Sequence, residues 1–97
     1  MKSHHNPDVD ALFDAILSLK NREECYAFFE DVCTVKEMLD ISQRLKAAKM
    51  LASGAVYADI SAETGMSTAT ISRVSKCLEK GSGGYKTVLA RQSKHSD

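Results

Sequence analysis

Tryptophan is absent, and no apolar run approaches the ~18 residues that a membrane span needs. The N-terminus also lacks the apolar stretch of a signal peptide. A cytoplasmic location and no membrane partner are therefore expected. Cys25, Cys33 and Cys77 are odd in number and far apart, with no C-x-x-C and no nearby paired histidines. They fit neither a disulfide framework nor a zinc site, so free, buried or semi-buried thiols are expected. His4 and His5 supply too few ligands for a metal and read as solvated tail. No nucleophile–base pair, carboxylate dyad, phosphate loop or metal constellation is present, which excludes an enzyme. Strands, repeats and low-complexity tracts are missing too. At 97 residues the chain is large enough for one core but not two, so 1–97 is expected to be a single domain.

What is present is a run of short, capped helices with apolar stripes, an all-α chain. Its most informative stretch is Tyr57 to Leu78, YADISAETGMSTATISRVSKCL, which reads as a helix-turn-helix. Gly65 is the pivot, because a turn between crossed helices needs a residue at positive φ, open to glycine without a Cβ clash. Ser67 is a good N-cap for the second helix. Ile60 and Met66, with Ile71, Val74 and Leu78 on one stripe, would clamp the two helices together. Thr68, Ala69, Thr70, Ser72, Arg73 and Lys76 are left facing elsewhere. A helix entering the major groove reads bases with its N-terminal residues, and small side chains there permit close approach. Ser67 and Thr68 would meet phosphate, Thr68 to Ser72 would face bases, and Arg73 and Lys76 would hold the backbone or a ligand. An ordinary αα-corner would share the same spacing.

Four segments surround this motif. Asn6-Pro7 opens a helix carrying Val9, Leu12, Phe13, Ile16, Leu17 and Leu19. Asn21 and Glu24 form a capping-box start to a helix rich in Tyr26, Phe28, Phe29 and Val32, a core or subunit interface. Thr34 and Glu37 open the longest helix, which ends at Gly54 and carries Met38, Ile41, Leu45, Ala48 and Ala52 on one stripe. Arg44, Lys46 and Lys49 add charge to its remaining surface. After the turn Gly81-Ser82-Gly83-Gly84, a last short helix is expected over 85–90, leaving 1–5 and 91–97 as frayed tails. Six helices of this size bury little alone, so an obligate, intertwined homodimer is expected to supply the missing core.

Net charge is zero, but its distribution is uneven. Residues 1–40 carry four Lys/Arg against nine Asp/Glu, a balance of −5, and residues 41–97 carry nine against four, a balance of +5. A basic half that contains the helix-turn-helix is an electrostatic footprint for double-stranded DNA. Neutral charge overall also leaves room for a protein-interaction adaptor that keeps the helix-turn-helix as scaffold only.

From Thr34 to Leu89 the chain resembles the Trp repressor family, in particular its small YerC/YecD-like branch. Gly65, Ala69-Thr70-Ile71-Ser72-Arg73 and Ser75 carry the resemblance, with Arg44, Gly54 and the closing GSGGYK. It implies a six-helix fold with interlocked N-terminal helices, and two helix-turn-helix units meeting successive major grooves. It also implies a sequence-specific transcriptional regulator, a repressor, and a ligand flanked by Arg44 and Arg73, the latter pairing with a carboxylate. Val74 stands where the repressor has glycine and would project into the ligand's space, and Cys77 stands where a serine holds its amino group. These departures argue against tryptophan as corepressor, so no cofactor is expected beyond an effector of unknown chemistry. Tyr57, Ala58 and Ser61 replace the repressor's basic and amide side chains, leaving Tyr57 as a further candidate contact to DNA.

Overall fold

The structure, a computed structural model, describes residues 5–95. Among these residues there are six α-helices and no strand: α1 Pro7–Leu17, α2 Arg22–Val32, α3 Val35–Ala52, α4 Tyr57–Thr64, α5 Thr68–Lys80 and α6 Gly84–His95. The chain divides into two compact units, Lys2–Leu39 and Asp40–Asp97, with the boundary inside α3.

Local hydrogen bonding sets the helix starts of the first unit. Val9 N–H donates to Asn6 Oδ1 at 2.8 Å, and Pro7 takes the first helical position, where a missing N–H costs nothing. Glu24 N–H donates to Asn21 Oδ1 at 2.9 Å, while the Glu24 carboxylate accepts from Lys20 N–H, one residue earlier than a capping box requires. At α3 the box closes fully: Glu37 N–H donates to Thr34 Oγ1 at 3.1 Å and Thr34 N–H to Glu37 Oε1 at 2.8 Å. The bond from the Thr34 backbone N–H, and after it a side-chain hydrogen bond from Thr34 to the carboxylate, hold the Glu37 carboxyl below its ordinary range. Leu19 lies beyond the end of α1 at Leu17, its N–H bonded to the Ile16 carbonyl at 3.1 Å.

No residue of α1 or α2 is buried. Phe13, Leu17, Tyr26, Val32 and Val35 are exposed, Leu17 by 82%. Phe28 and Phe29 meet edge to face with centroids 5.4 Å apart. The apolar pattern therefore builds regular helices here without building a core.

The second unit has one. Ala47, Ala48, Ile60, Ile71 and Val74 are buried, with Met50, Leu51, Ala55, Met66, Tyr85 and Leu89 packed around them. Of the stripe expected on α3, only Ala48 is buried, and Ala47 joins it while Ile41 and Ala52 are exposed. The inward arc of α3 is thus rotated toward Ala47 and Leu51, an i, i+4 pair. Two alanine side chains are small enough for the facing isoleucines to cover completely. Gly54, at φ +88°, turns the chain out of α3, and Ala55 N–H closes the end on the Met50 carbonyl at 2.9 Å. α6 runs to His95 rather than stopping at Ala90, since Arg91, Gln92 and Lys94 are good helix formers. Residues 1–4, and with them the expectation for His4, lie outside the described residues, as do Ser96 and Asp97. No described helix is long and apolar enough to cross a membrane.

Candidate nucleic-acid interface

α4 and α5 are joined by three residues, and side chains stitch the corner. Gly65 adopts φ +76° and ψ 4°, the left-handed region, while its N–H donates to the Ser61 carbonyl at 2.8 Å. Ser61 Oγ donates to the Met66 carbonyl at 2.9 Å, and Met66 N–H to Thr64 Oγ1 at 3.1 Å. Thr64 Oγ1 in turn donates to the Ile60 carbonyl at 2.7 Å. Ser67 then caps α5, accepting from Thr70 N–H at 3.2 Å and meeting Thr70 Oγ1 at 3.0 Å.

On α5, Ile71 and Val74 face the core, at 0% and 4% exposure. At 100° per residue, the side opposite them carries Ala69, Ser72, Arg73 and Lys76, while Thr68, three residues before Ile71, lies at the flank in the first turn. Thr68, Ala69, Arg73 and Lys76 are exposed, as are Ser67 and Tyr57, whereas Thr70 and Ser72 are half-buried. The Thr70 hydroxyl is engaged by Ser67, so its geometry is set within the chain. Met66 is half-buried against the core, and Leu78 is half-buried further along α5. α4 opens on Val56 without a side-chain cap, placing Tyr57 in its first turn.

Two hollows border α5, one at the corner and one at its C-terminal end. A polar one of about 360 Å³ is lined by Asp40, Gln43 and Arg44 of α3, by Thr64 to Ser67, and by Thr70. Gln43 Oε1 is buried there without a hydrogen-bond partner. A more apolar hollow of about 560 Å³ is lined by Ile41, Arg44 and Leu45, by Cys77, and by Gly81, Ser82, Gly84, Tyr85 and Val88. Arg44 borders both hollows and Arg73 neither, so the two arginines do not converge on either within this unit. Val74, expected to project into ligand space, belongs to the core, because it follows Ile71 by three residues on the inward face. Cys77, expected to be at least semi-buried, is exposed, while Cys25 and Cys33 are half-buried. It sits about a quarter turn of α5 round from the midline of Ile71 and Val74, at the rim of the inward face. Tyr85 has its hydroxyl pKa raised, first by desolvation and then by charge on Cys77, with Arg44 pulling it down.

Some features of this surface have no signal in the sequence. Asp40, Gln43 and Thr64 border the polar hollow, and Lys46 Nζ lies 3.0 Å from Glu63 Oε2. Seventeen residues separate that pair, so no local spacing rule reports it. Among the described residues, no group of three or more His, Cys, Asp or Glu is placed to hold a metal ion.

The same architecture recurs in known proteins. A family model described as Trp repressor protein matches residues 7–93. The chain is 52% identical over 84 residues to the uncharacterized protein YerC of Bacillus subtilis (strain 168), covering 87% of this chain and 81% of that one. A candidate Trp repressor from Staphylococcus aureus has a similar crystal structure, with TM-score 0.87 and 53% identity, covering 92% of this chain and 89% of that one. A TrpR like protein from Eubacterium eligens ATCC 27750 gives TM-score 0.88 and 52% identity, covering 91% of each chain.

Proposed function

From the premise that this chain belongs to the Trp repressor family, a family of non-enzymatic regulators, we propose that it is a sequence-specific transcriptional repressor, binding double-stranded DNA as a homodimer through α4 and α5. The observation that carries the reading is the outward face of α5. Thr68 and Ala69 stand exposed at its start, with Arg73 and Lys76 one and two turns further on. Small groups at the tip admit close approach to base edges, and the two cations behind them suit flanking phosphates. Tyr57 and Ser67 lie on the same motif and extend the set, while Thr70 and Ser72 contribute at its edges. Tryptophan is not the effector in this reading, because Cys77 stands where the resemblance to the repressor calls for a serine that holds the ligand's amino group. Arg44, bordering both hollows, is the group left to meet an effector, while Arg73 serves the DNA backbone.

The test is fluorescence anisotropy of the purified chain with labelled genomic fragments at low salt, followed by sequencing of the fragments retained. Saturable binding that enriches a common sequence is expected. One observation favours an adaptor instead: from Tyr57 to Lys80 the motif carries Arg73, Lys76 and Lys80 against Asp59, Glu63 and Glu79, an even balance. No binding to any fragment at low salt would leave the adaptor reading in place.

A further inference from the structure

Lys46 reads in the sequence as one of three cations on the open face of α3, yet the structure gives it a partner. Its Nζ stands 3.0 Å from Glu63 Oε2, linking α3 to the last turn of α4. Both side chains are about half exposed, at 46% and 58%, and pairs so exposed contribute little to stability. Maintenance of the fold therefore does not account for the pair. Its position is more informative. Glu63 precedes the Gly65 corner by two residues, and α3 residues Asp40, Gln43 and Arg44 share a hollow with that corner. The pair thus flanks the point from which α5 departs.

We propose that Glu63 is an electrostatic brake on sequence-independent DNA binding, acting by holding Lys46 away from phosphate. This rests on the DNA-binding reading above. A lysine that meets a phosphate releases a counterion and adds affinity to every duplex alike, with no information about bases. A lysine already neutralised by a carboxylate must break that pair first, and it brings the carboxylate's charge with it. Within the helix-turn-helix, Glu63 commits its carboxylate to a cation, whereas Glu79 meets Lys86 through its backbone carbonyl. Holding Lys46 lowers the time spent on arbitrary DNA without touching a base edge.

The experiment measures anisotropy of the full-length protein on a random-sequence duplex across a salt series. It compares the parent with Glu63→Gln, Lys46→Gln and the double variant. Glu63→Gln is expected to tighten binding by up to about eightfold near 0.1 M salt and to steepen the log–log salt slope by about 0.9. The double variant should return to the parent slope, and Lys46→Gln should leave the slope unchanged. An unchanged slope in Glu63→Gln overturns the brake, as does a gain that survives in the double variant, since Lys46 is then not the group released. Thermal melts of all four proteins should coincide within a few degrees, and a large drop in the Glu63→Gln melt also counts against the proposal. A parent that binds no duplex at low salt removes the regulator reading and this one together. Parent binding with an unchanged Glu63→Gln slope removes only the brake.

Discussion

Gly65 and Gly81 bracket α5 and are glycine for different reasons. At Gly65 a Cβ would meet nothing within 4 Å, so the cost of a side chain lies wholly in φ +76°. Gly65→Ala should cost about 1–2 kcal/mol. At roughly 4–8 °C per kcal/mol for a domain of this size, a thermal melt resolves that change easily. At Gly81 φ is ordinary, but a Cβ would collide with the Cys77 carbonyl oxygen, which accepts the bond closing α5. Backbone must move to admit it, so Gly81→Ala should lower the melting temperature further than Gly65→Ala. Glu37 offers a residue-scale test by pH. Its folded pKa is lowered by the backbone and side-chain bonds to Thr34, so its contribution is present above the unfolded carboxylate pKa and is lost as pH falls through the lower folded value. Acid titration of the melting temperature should therefore be shallower in Glu37→Gln than in the parent. Both kinds of residue were legible in the sequence because their physics is local. A positive-φ corner and a reciprocal cap each need only a few neighbouring residues. Cys77 was not legible, because its exposure depends on how α5 is rotated against the core.

At the scale of the element, α5 divides into two arcs, and each can be tested separately. Removing bulk from the inward arc with Ile71→Ala should cost about 2–5 kcal/mol, since Ile71 is fully buried among isoleucine and alanine. Removing charge from the outward arc should leave stability alone and change binding. Arg73→Glu and Lys76→Glu should weaken binding to all sequences and flatten its salt dependence, by about 0.9 of log–log slope for each phosphate left unneutralised. Affinity untouched by both reversals would detach these residues from DNA. The division into arcs follows from helical period alone, which is why the sequence placed Ile71 and Val74 correctly. The same rule failed on α3. There, alanines at 47 and 48 and larger groups at 41 and 45 offered several plausible stripes, and the buried arc was decided by what α4 and α5 bring to it. The Lys46–Glu63 pair belongs to this second kind of information, since it joins residues that only tertiary packing makes neighbours.

At the scale of the whole molecule, the first unit poses the sharpest question. α1 and α2 are well capped, yet none of their residues is buried, and Phe13, Leu17, Tyr26, Val32 and Val35 lie open to solvent. A unit this small cannot stabilise itself without a core, and an apolar surface of this kind marks an association site. A second copy is the partner we propose, in line with the interlocked helices that the resemblance implies. A two-fold interface is self-complementary, so one substitution per chain enters it twice. Leu17→Glu, at the most exposed of these positions, therefore places two carboxylates in the apolar contact, while in an isolated monomer it would be a harmless surface change. Sedimentation should find the parent as a dimer and Leu17→Glu as a monomer. The parent melting temperature should rise with protein concentration, and that of the variant should not. DNA binding should fall with dimerisation, because two recognition helices must reach successive grooves together. A parent that sediments as a monomer at every concentration, with a melt indifferent to Leu17→Glu, would show that these apolar residues serve no partner of the same kind.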